Sequence, residues 1–257
     1  MQGVNSTGQS GTQKYSFDEV FDHTSQQGYV YDRAVKPIVE GVMQGFNGTV
    51  FAYGQTSAGK THTMLGPNIT DVTERGMTPR MVSHVFDEIA NAPSEMEFQV
   101  KVSMIEIYME KVRDLIDPSK TDLKIREERG KGVYIEDVTE TYVTDEAEVY
   151  QLMIRGNQNR SIGATDMNAQ SSRSHSCFIV TVQQNNTRDF SQKAGQLYLV
   201  DLAGSERIEK TGATGQTLSE AKMINKSLST LGMVINLLTD GKSSYIPYRD
   251  SKLTRVL

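Results

Sequence analysis

The sequence has little of what marks several protein classes: one cysteine, four histidines and no long apolar run in 257 residues. A single cysteine cannot form an internal disulfide, which argues against a disulfide-stapled secreted domain and favours a reducing compartment. Four histidines without close ligand spacing argue against a Cys/His zinc site. No stretch approaches the ~18 consecutive apolar residues of a membrane-spanning helix, and residues 1–14 lack the apolar segment of a secretory signal.

Charge is distributed unevenly along the chain. The formal net charge is -5, which argues against a general nucleic-acid binder. From Arg207 to Leu257, however, eight basic residues outnumber four acidic ones, so this segment carries +4, and the remainder, with 19 basic and 28 acidic residues, carries -9. A basic end on an acidic protein favours a localised contact with an acidic surface, although a solvated helix face would explain the same charges.

Strand and helix patterns alternate along the chain, and no Pro- or Gly-rich linker divides it. Short runs that are apolar throughout or that alternate apolar with polar residues predict strands. Apolar residues that recur every three or four positions predict helices. In the longest helix this spacing places Leu228, Leu231, Ile235 and Leu238 on one buried face. The predicted strands are 49–53, 98–104, 176–183 and 196–201, and the predicted helices are 78–89 and 218–239.

Such alternation favours an α/β domain with a central, mostly parallel sheet. Residues 1–14 consist almost entirely of Gly, Ser, Thr, Gln and Asn, which predicts a flexible tail. The domain is then expected to comprise residues 15–257.

Residues 54–61 match the pattern G-x-x-x-x-G-K-[ST], and a predicted strand precedes them. The glycines let successive N–H groups point at phosphate oxygens, and the positive end of a following helix adds to the attraction. Lys60 can reach the β- and γ-phosphates, and the hydroxyl of Thr61 suits Mg²⁺. With Gly at ~7% of residues, a chance match is on the order of 1%. The predicted phosphate loop comprises Gly54, Gln55, Thr56, Ser57, Ala58, Gly59, Lys60 and Thr61.

Two further segments carry groups that a nucleotide hydrolase needs, one to sense the γ-phosphate and one to order the attacking water. Asp201 ends a predicted strand, where a carboxylate would hold Mg²⁺ directly or through water, and Gly204 can offer its N–H to the γ-phosphate. This D-x-x-G pattern is weak alone and gains weight beside a phosphate loop. Residues 168–175 (NAQSSRSH) concentrate hydroxyls, a guanidinium and an imidazole, as in a mobile loop that closes over Mg²⁺ and phosphate.

Together these stretches resemble the kinesin motor domain. GQTSAGKTHTM resembles the phosphate loop of that family, NAQSSRSH its switch I loop and DLAGSE its switch II loop. FNGTVFAYG, EIYMEKVRDLI, LSEAKMINKSLSTLG and YIPYRDSKLTRVL resemble further phrases, so the likeness runs from about Tyr15 to Leu257. Within the family the chain is most similar to conventional kinesin heavy chains. The resemblance implies a P-loop NTPase in which a mixed, mostly parallel sheet has helices on both faces.

The resemblance also implies an ATPase that uses ATP and Mg²⁺ to drive movement along microtubules. By that match, Thr61 and Ser172 coordinate Mg²⁺, and Asp201 acts through water. His62 directly follows the phosphate loop and is expected near the adenine, with an ordinary helix residue as the alternative.

The family match further implies a latch between the two switch loops. Arg173 pairs with Glu206 when both loops close on the γ-phosphate, because a charge-assisted pair is directional and strong away from water. The latch orders the hydrolytic water, and loss of phosphate then shifts the helix 218–239. The residues implied at the reaction centre are Asn168, Ser171, Ser172, Arg173, Gly204 and Glu206.

The basic segment gains a partner from the resemblance, since the tubulin surface is acidic and such contacts weaken with salt. A second contact is expected at 134–143, where acidic Glu136, Asp137 and Glu140 stand in place of the family's frequent basic residues. The resemblance implies a location on cytoplasmic microtubules, a parent that dimerises through a coiled coil, and no nucleic-acid or membrane partner. The predicted microtubule-binding residues are Lys210, Lys222, Lys226, Lys242, Arg249, Lys252 and Arg255.

Both ends depart from the family pattern. The R-x-R-P motif of the family's first strand is not present, and the last strand, final helix and neck linker would follow Leu257. We therefore expect an incomplete motor fold that is poorly stable alone and cannot walk. Directed stepping by residues 1–257 in a single-molecule assay would refute this.

Two other functions remain compatible with part of the pattern. GTPases also combine a phosphate loop with D-x-x-G, but their guanine motif needs Asp after N-K-x, and Leu228 stands at that position. A nucleotide-regulated microtubule-binding module without movement is the second alternative, although every group expected for hydrolysis is present.

Overall fold

The fold is seen in a computed structural model that describes residues 2–4, 10–12, 14–130, 132–162, 172–206 and 216–257. A π-helical turn, Tyr31–Val35, lies between the first two helices, and a 3-10 turn, Tyr248–Asp250, precedes the last. The strands are β1 (Gln2–Val4), β2 (Ser10–Thr12), β3 (Gly48–Ala52), β4 (Met96–Tyr108), β5 (Lys111–Asp114), β6 (Ile125–Glu128), β7 (Gly132–Ile135), β8 (Thr141–Val143), β9 (His175–Asn186) and β10 (Gln192–Asp201). The helices are α1 (Gln27–Val30), α2 (Lys36–Met43), α3 (Lys60–Met64), α4 (Met77–Ala90), α5 (Glu146–Ile162), α6 (Gln216–Asp240) and α7 (Lys252–Val256).

A six-stranded mixed sheet lies at the centre, in the order β3-β10-β9-β4-β5 with β8 also paired to β4. The predicted mixed sheet is confirmed, but the expectation of mostly parallel strands is wrong. Among the described residues only β10 with β3 is parallel, and the other pairings are antiparallel. The short connections 109–110 between β4 and β5 and 187–191 between β9 and β10 explain two of these pairings, because a parallel pair needs a longer crossover.

Alternating side chains along β9 separate two cores, one on each face of the sheet. Phe178 and Val180 lie in a core that includes residues of α2, α4 and α5. Cys177 and Ile179 lie in a second core that includes residues of α6 and α7. Successive side chains of a strand point to opposite faces, which explains the division. Helices on both faces are therefore confirmed.

The one parallel pair positions the candidate site. Asp201 at the end of β10 lies opposite Ala52 at the end of β3, so both strands end at the same edge of the sheet. The phosphate loop follows β3, and the D-L-A-G segment follows Asp201. Loops after the carboxyl ends of neighbouring parallel strands meet there, which is where open α/β sheets bind ligands.

The long helix α6 confirms the helix predicted at 218–239, but its buried stripe is shorter than expected. Leu228 and Leu231 are buried, whereas Ile235 and Leu238 are 37% and 52% exposed. All four lie on the same side of a helix with 3.6 residues per turn. The last turns of α6 therefore extend beyond the elements that cover this side.

Two small sheets lie apart from the central one. Within residues 1–14, predicted to be a flexible tail, β1 pairs antiparallel with β2. The tail and the domain boundary at residue 15 stay predictions. The β6–β7 hairpin forms the other small sheet and contacts α7. No described helix has an apolar span long enough to cross a bilayer.

Candidate nucleotide site and basic surface

The phosphate loop runs from β3 to α3. Gly59, just before α3, has φ of 90°, a left-handed conformation that glycine adopts without steric cost. Lys60 Nζ donates to the carbonyl oxygens of Gly54 and Gln55, each over 2.9 Å. The predicted loop residues therefore lie together, and the Lys60 ammonium group is hydrogen-bonded to the first two residues of its own loop.

Asp201 joins the phosphate loop to the end of β10. Thr61 Oγ1 donates to Asp201 Oδ2 over 2.8 Å, and Arg160 Nη1 of α5 donates to the same oxygen over 2.8 Å. Asp201 is 6% exposed, and its Oδ1 is buried without a hydrogen-bond partner among the described residues. Such an oxygen suits a hard cation or its bound water. Thr61 and Asp201, two of the three residues predicted to hold Mg²⁺ with Ser172, therefore lie together and suit the ion, and the full set stays a prediction.

Sequence analysis missed Arg160, which is 4% exposed. Its Nη2 donates to the carbonyl oxygen of Ser174 over 3.0 Å, so the guanidinium contacts both the residue before β9 and the last residue of β10, where these strands pair. Asp201 lies 41 residues away along the chain. An arginine near the end of a polar helix carries no local signal that would have identified this contact.

The segment after Asp201 places its backbone N–H groups on four different neighbours. A Cβ at Gly204 would lie 2.4 Å from Glu206 Oε2 and 2.5 Å from Thr56 Oγ1, so a larger residue there would displace both side chains. The predicted phosphate-sensing N–H of Gly204 contacts the switch I segment, which brings both predicted loops together. In these four hydrogen bonds the backbone amides donate as follows: Leu202 to Ala52 O (3.4 Å), Ala203 to His175 Nδ1 (3.0 Å), Gly204 to Ser172 O (2.7 Å) and Ser205 to Gly54 O (3.1 Å).

The structure does not form the Arg173–Glu206 latch. Arg173 Nη1 donates instead to Glu220 of α6, which also accepts a hydrogen bond of 2.5 Å from Tyr108 Oη. Glu206 accepts from the Thr56 amide over 2.9 Å and from the Thr56 hydroxyl over 2.6 Å. Each predicted latch residue therefore has a different partner in this structure, Glu220 for Arg173 and Thr56 for Glu206. Glu220 is a contact that the sequence analysis did not identify.

Glu206 is held as a hydrogen-bond acceptor in this arrangement. Partial burial raises the pKa of Glu206, but the hydrogen bonds from the Thr56 hydroxyl and amide together outweigh it and leave the pKa below its usual range. The carboxylate is therefore charged at neutral pH and accepts hydrogen bonds from the phosphate loop.

His62 lies beside α1. Gln27 Nε2 donates to the His62 carbonyl oxygen over 2.7 Å and lies 3.3 Å from His62 Nδ1. These contacts place α1 next to the phosphate loop. The adenine contact of His62 stays a prediction. Three other predicted residues, Asn168, Ser171 and Lys210, lie outside the described residues.

The remaining predicted basic residues lie in or near α6 and α7. Lys222 and Lys226 are exposed one turn apart on α6, and Lys242 is exposed just after that helix. Lys252 and Arg255, both in α7, are partly exposed. These positions form a basic surface on the face of the sheet that α6 covers.

Two arginines that were not predicted extend this surface. Arg126 of β6 and Arg129 of the following turn line one open groove together with Arg249 and Arg255. Arg249 is exposed and pairs with Glu127 over 2.7 Å.

The acidic segment 134–143 is partly neutralised by neighbours. Glu136 pairs with Arg126 over 3.0 Å, and Glu140 pairs with Lys101 over 2.7 Å. The basic residues expected in this region therefore occur on adjacent strands, which a search within 134–143 could not find.

Comparison with known proteins matches the whole chain, residues 1–257, to the kinesin motor domain. A kinesin heavy chain of Botryotinia fuckeliana is 54% identical over 254 residues, which are 99% of this chain and 29% of the relative. Kinesin-related protein 3 of Dictyostelium discoideum is 57% identical over 256 residues, which are 99% of this chain and 22% of the relative. The chain thus spans less than a third of the length of these relatives.

A solved structure gives the same answer for the fold. It is described as "Structure of a fast kinesin: Implications for ATPase mechanism and interactions with microtubules", and it superposes with a TM-score of 0.88 at 54% identity. The superposition covers 95% of this chain and 69% of that chain. Since the family match extends over every residue and a solved kinesin structure shares the fold, this chain belongs to the kinesin motor domain family.

Proposed function

We propose that this domain hydrolyses ATP with Mg²⁺ and couples the hydrolysis to movement along microtubules. Family membership implies nucleotide binding and interaction with microtubules. The observation that carries the proposal is the junction of three loops, in which Thr61 bonds to Asp201 and Gly204 bonds to Ser172. A ligand bound at this junction contacts all three loops at once, so its terminal phosphate can control their arrangement.

Different residues at the junction would bind different parts of the nucleotide and its Mg²⁺. Lys60 supplies a positive charge, and the N–H groups of residues 54–61 surround the phosphates. The hydroxyls of Thr61 and Ser172 and the buried Oδ1 of Asp201 would hold Mg²⁺, while Arg160 fixes Oδ2 and so orients the carboxylate. Bound Mg²⁺ supplies charge neutralisation on the phosphates.

Closure of the loops requires an exchange of partners. Gly204 must release Ser172 O before its N–H can contact a phosphate. Arg173 must leave Glu220, and Glu206 must leave Thr56, before the two can pair as a latch. The closed arrangement then orients the hydrolytic water beside Glu206. Because Glu220 belongs to α6, the release of Arg173 changes a contact of the helix that carries Lys222 and Lys226.

The basic surface supports the proposed partner. Its exposed lysines and arginines suit the acidic surface of a microtubule, and the domain would be located on microtubules of the cytoplasm. Arg126 and Arg129 join the predicted set because they share a groove with Arg249 and Arg255. Dimerisation through a coiled coil stays a prediction.

The proposal is tested by the ATPase rate with and without microtubules at two salt concentrations. We expect microtubules to raise the rate, less so at high salt, and Glu206→Ala to lower the stimulated rate roughly 100-fold, the effect typical of a lost proton-transfer or water-orienting group. Glu97→Ala is the matched control, since Glu97 is exposed at the far end of β4. An unstimulated wild-type rate would overturn the motor function, and an unaffected Glu206→Ala rate would overturn the latch.

Two further measurements separate the alternatives. A strong preference for GTP over ATP would favour a GTPase switch. Nucleotide-dependent microtubule binding in which microtubules leave the ATPase rate unchanged would instead favour a regulated binding module.

A further inference from the structure

A buried histidine connects the switch II segment to α6. His175, the first residue of β9, is 3% exposed, and Ser227 of α6 is 2% exposed. His175 Nδ1 lies 3.0 Å from the Ala203 amide nitrogen, and its Nε2 lies 2.8 Å from Ser227 Oγ. One imidazole ring therefore spans the distance between the D-L-A-G segment and the helix.

The direction of each hydrogen bond follows from its partner. The Ala203 amide can only donate, so Nδ1 carries no proton and accepts. Ser227 Oγ donates to the carbonyl oxygen of Ile224 over 2.8 Å, which leaves its lone pairs for a proton on Nε2. A continuous chain of hydrogen bonds thus runs from Ala203 through His175 and Ser227 to the α6 backbone.

The surroundings keep the ring in this neutral form. Burial, and to a smaller extent the charge of Arg160, lowers the pKa of His175 to about 4. The nearby Arg160 is itself engaged by Asp201 and Ser174. The ring is therefore a fixed connector at neutral pH.

We propose that His175 and Ser227 are positioning residues that transmit movement of the 201–204 segment to α6. The inference rests on the proposed function, because it concerns how nucleotide state reaches the microtubule-binding helix. Ala203 lies between Asp201 and Gly204, so a shift that moves either residue changes the position of its amide. The ring moves with that amide, and Ser227 moves with the ring. This path is independent of the Arg173–Glu220 contact.

The connection is first tested without nucleotide, by hydrogen exchange and NMR of the whole 257-residue chain. Ser227→Ala removes the acceptor for Nε2, and Ser229→Ala is the matched control because Ser229 is exposed on the same helix. We expect Ser227→Ala to speed exchange of the Ala203 amide roughly fivefold, the effect of one lost hydrogen bond. The Val180 amide, in the centre of β9, reports global unfolding, so any change there measures the overall loss of stability, and the Ala203 amide should speed up by more than this amount in Ser227→Ala.

The same spectra identify the protonated ring nitrogen. A proton on His175 Nε2 with none on Nδ1 is expected. A proton on Nδ1, or an Ala203 amide that exchanges equally fast in Ser227→Ala and wild type, overturns the connection.

Transmission is tested by adding Mg²⁺ with ADP or with adenylyl imidodiphosphate. In the wild type the amides of residues 224–231 should differ between the two nucleotides. Ser227→Ala should shrink these differences severalfold while those at Lys60 and Thr61 persist. His175→Asn should match it, because asparagine keeps an acceptor for Ala203 but lacks the second ring nitrogen.

The outcomes distinguish the two proposals. Undiminished α6 differences in both variants overturn the transmission path. Absence of any nucleotide effect at Lys60 and Thr61 in the wild type overturns the proposed nucleotide binding instead, and the Ala203 exchange result then decides whether the connection exists.

Discussion

Buried polar side chains from distant parts of the chain hold the site together at the scale of single residues. Arg160 and Asp201 form an ion pair with side-chain exposures of 5% and 7%. Removing water from two charges is costly, and the pair is tolerated because each member also makes hydrogen bonds, Asp201 with Thr61 and Arg160 with Ser174. Loss of one partner leaves the other as an unpaired buried charge.

We therefore expect Arg160→Leu to lower the free energy of unfolding by about 3 kcal/mol or more, because Asp201 would stay buried without its partner. Urea unfolding followed by circular dichroism measures this. Arg33→Leu is the control, since the Arg33–Glu19 pair is exposed and screened by water, and its loss should leave the free energy of unfolding nearly unchanged. Equal effects of the two substitutions would contradict the importance given to the buried pair.

His175 makes stability depend on pH. Its pKa is about 4 in the folded protein, against 6.5 for an unperturbed histidine in the unfolded chain. As pH falls, the unfolded chain therefore binds the extra proton first. The contribution is complete above pH 6.5 and is lost on the way to pH 4, by about 3 kcal/mol in total.

The measurement compares unfolding free energies of wild type and His175→Gln between pH 7 and pH 4. Other carboxylates titrate in both proteins, so the difference between them isolates the imidazole. We expect wild type to lose more stability than the variant as pH falls. Parallel curves would contradict the buried neutral histidine.

Close packing of α2 on β10 supports the site at the scale of elements. A Cβ at Gly195 in β10 would lie 2.3 Å from the Val42 carbonyl oxygen and 2.8 Å from that of Phe46. Backbone atoms cannot move aside as a flexible side chain can. The helix and the strand that ends in Asp201 are therefore in contact through glycine.

Gly195→Ala should lower the free energy of unfolding by about 1–3 kcal/mol, the usual effect of overpacking. Gly232→Ala in α6 is the control, because a Cβ there meets nothing within 4 Å. Alanine in an exposed helix should raise stability by about 0.5–1 kcal/mol. Chemical unfolding of both variants tests the opposite signs, and a neutral Gly195→Ala would contradict the close contact.

An acidic molecule with a basic face is the main property at the scale of the whole domain. The net charge is -5, yet α6, α7 and the β6–β7 sheet carry the exposed lysines and arginines described above. Charges of one sign on one face orient the encounter with an acidic polymer despite the opposite overall sign.

We expect Lys222→Ala with Lys226→Ala to weaken microtubule binding roughly tenfold at low salt, and less at high salt, because exposed charges are screened. Cosedimentation at two ionic strengths measures the Kd. Lys36→Ala with Lys193→Ala is the matched control, since both lysines are exposed outside α6. An equal loss in the control would attribute binding to total charge.

The sequence by itself determined the parts whose chemistry is local. A phosphate loop needs glycines, a lysine and a hydroxyl at fixed spacing, and a strand ending in Asp201 followed by Gly204 is legible in a few residues. The structure confirms the strands, the long helix and the helices on both faces. It also brings the predicted loops to one edge of the sheet, because both strands that precede them end there.

Only the tertiary structure decided which distant groups meet. Arg173 lies 47 residues from Glu220, and Asp201 lies 41 residues from Arg160, so no spacing rule relates them. Strand direction was likewise misjudged, because it depends on which strands pair after folding. Burial of α6 ends before Ile235 because coverage depends on where neighbouring elements stop. A local pattern of side chains predicts which face of a helix or strand is apolar or charged. Only the packing of the whole chain decides which distant residues that face contacts.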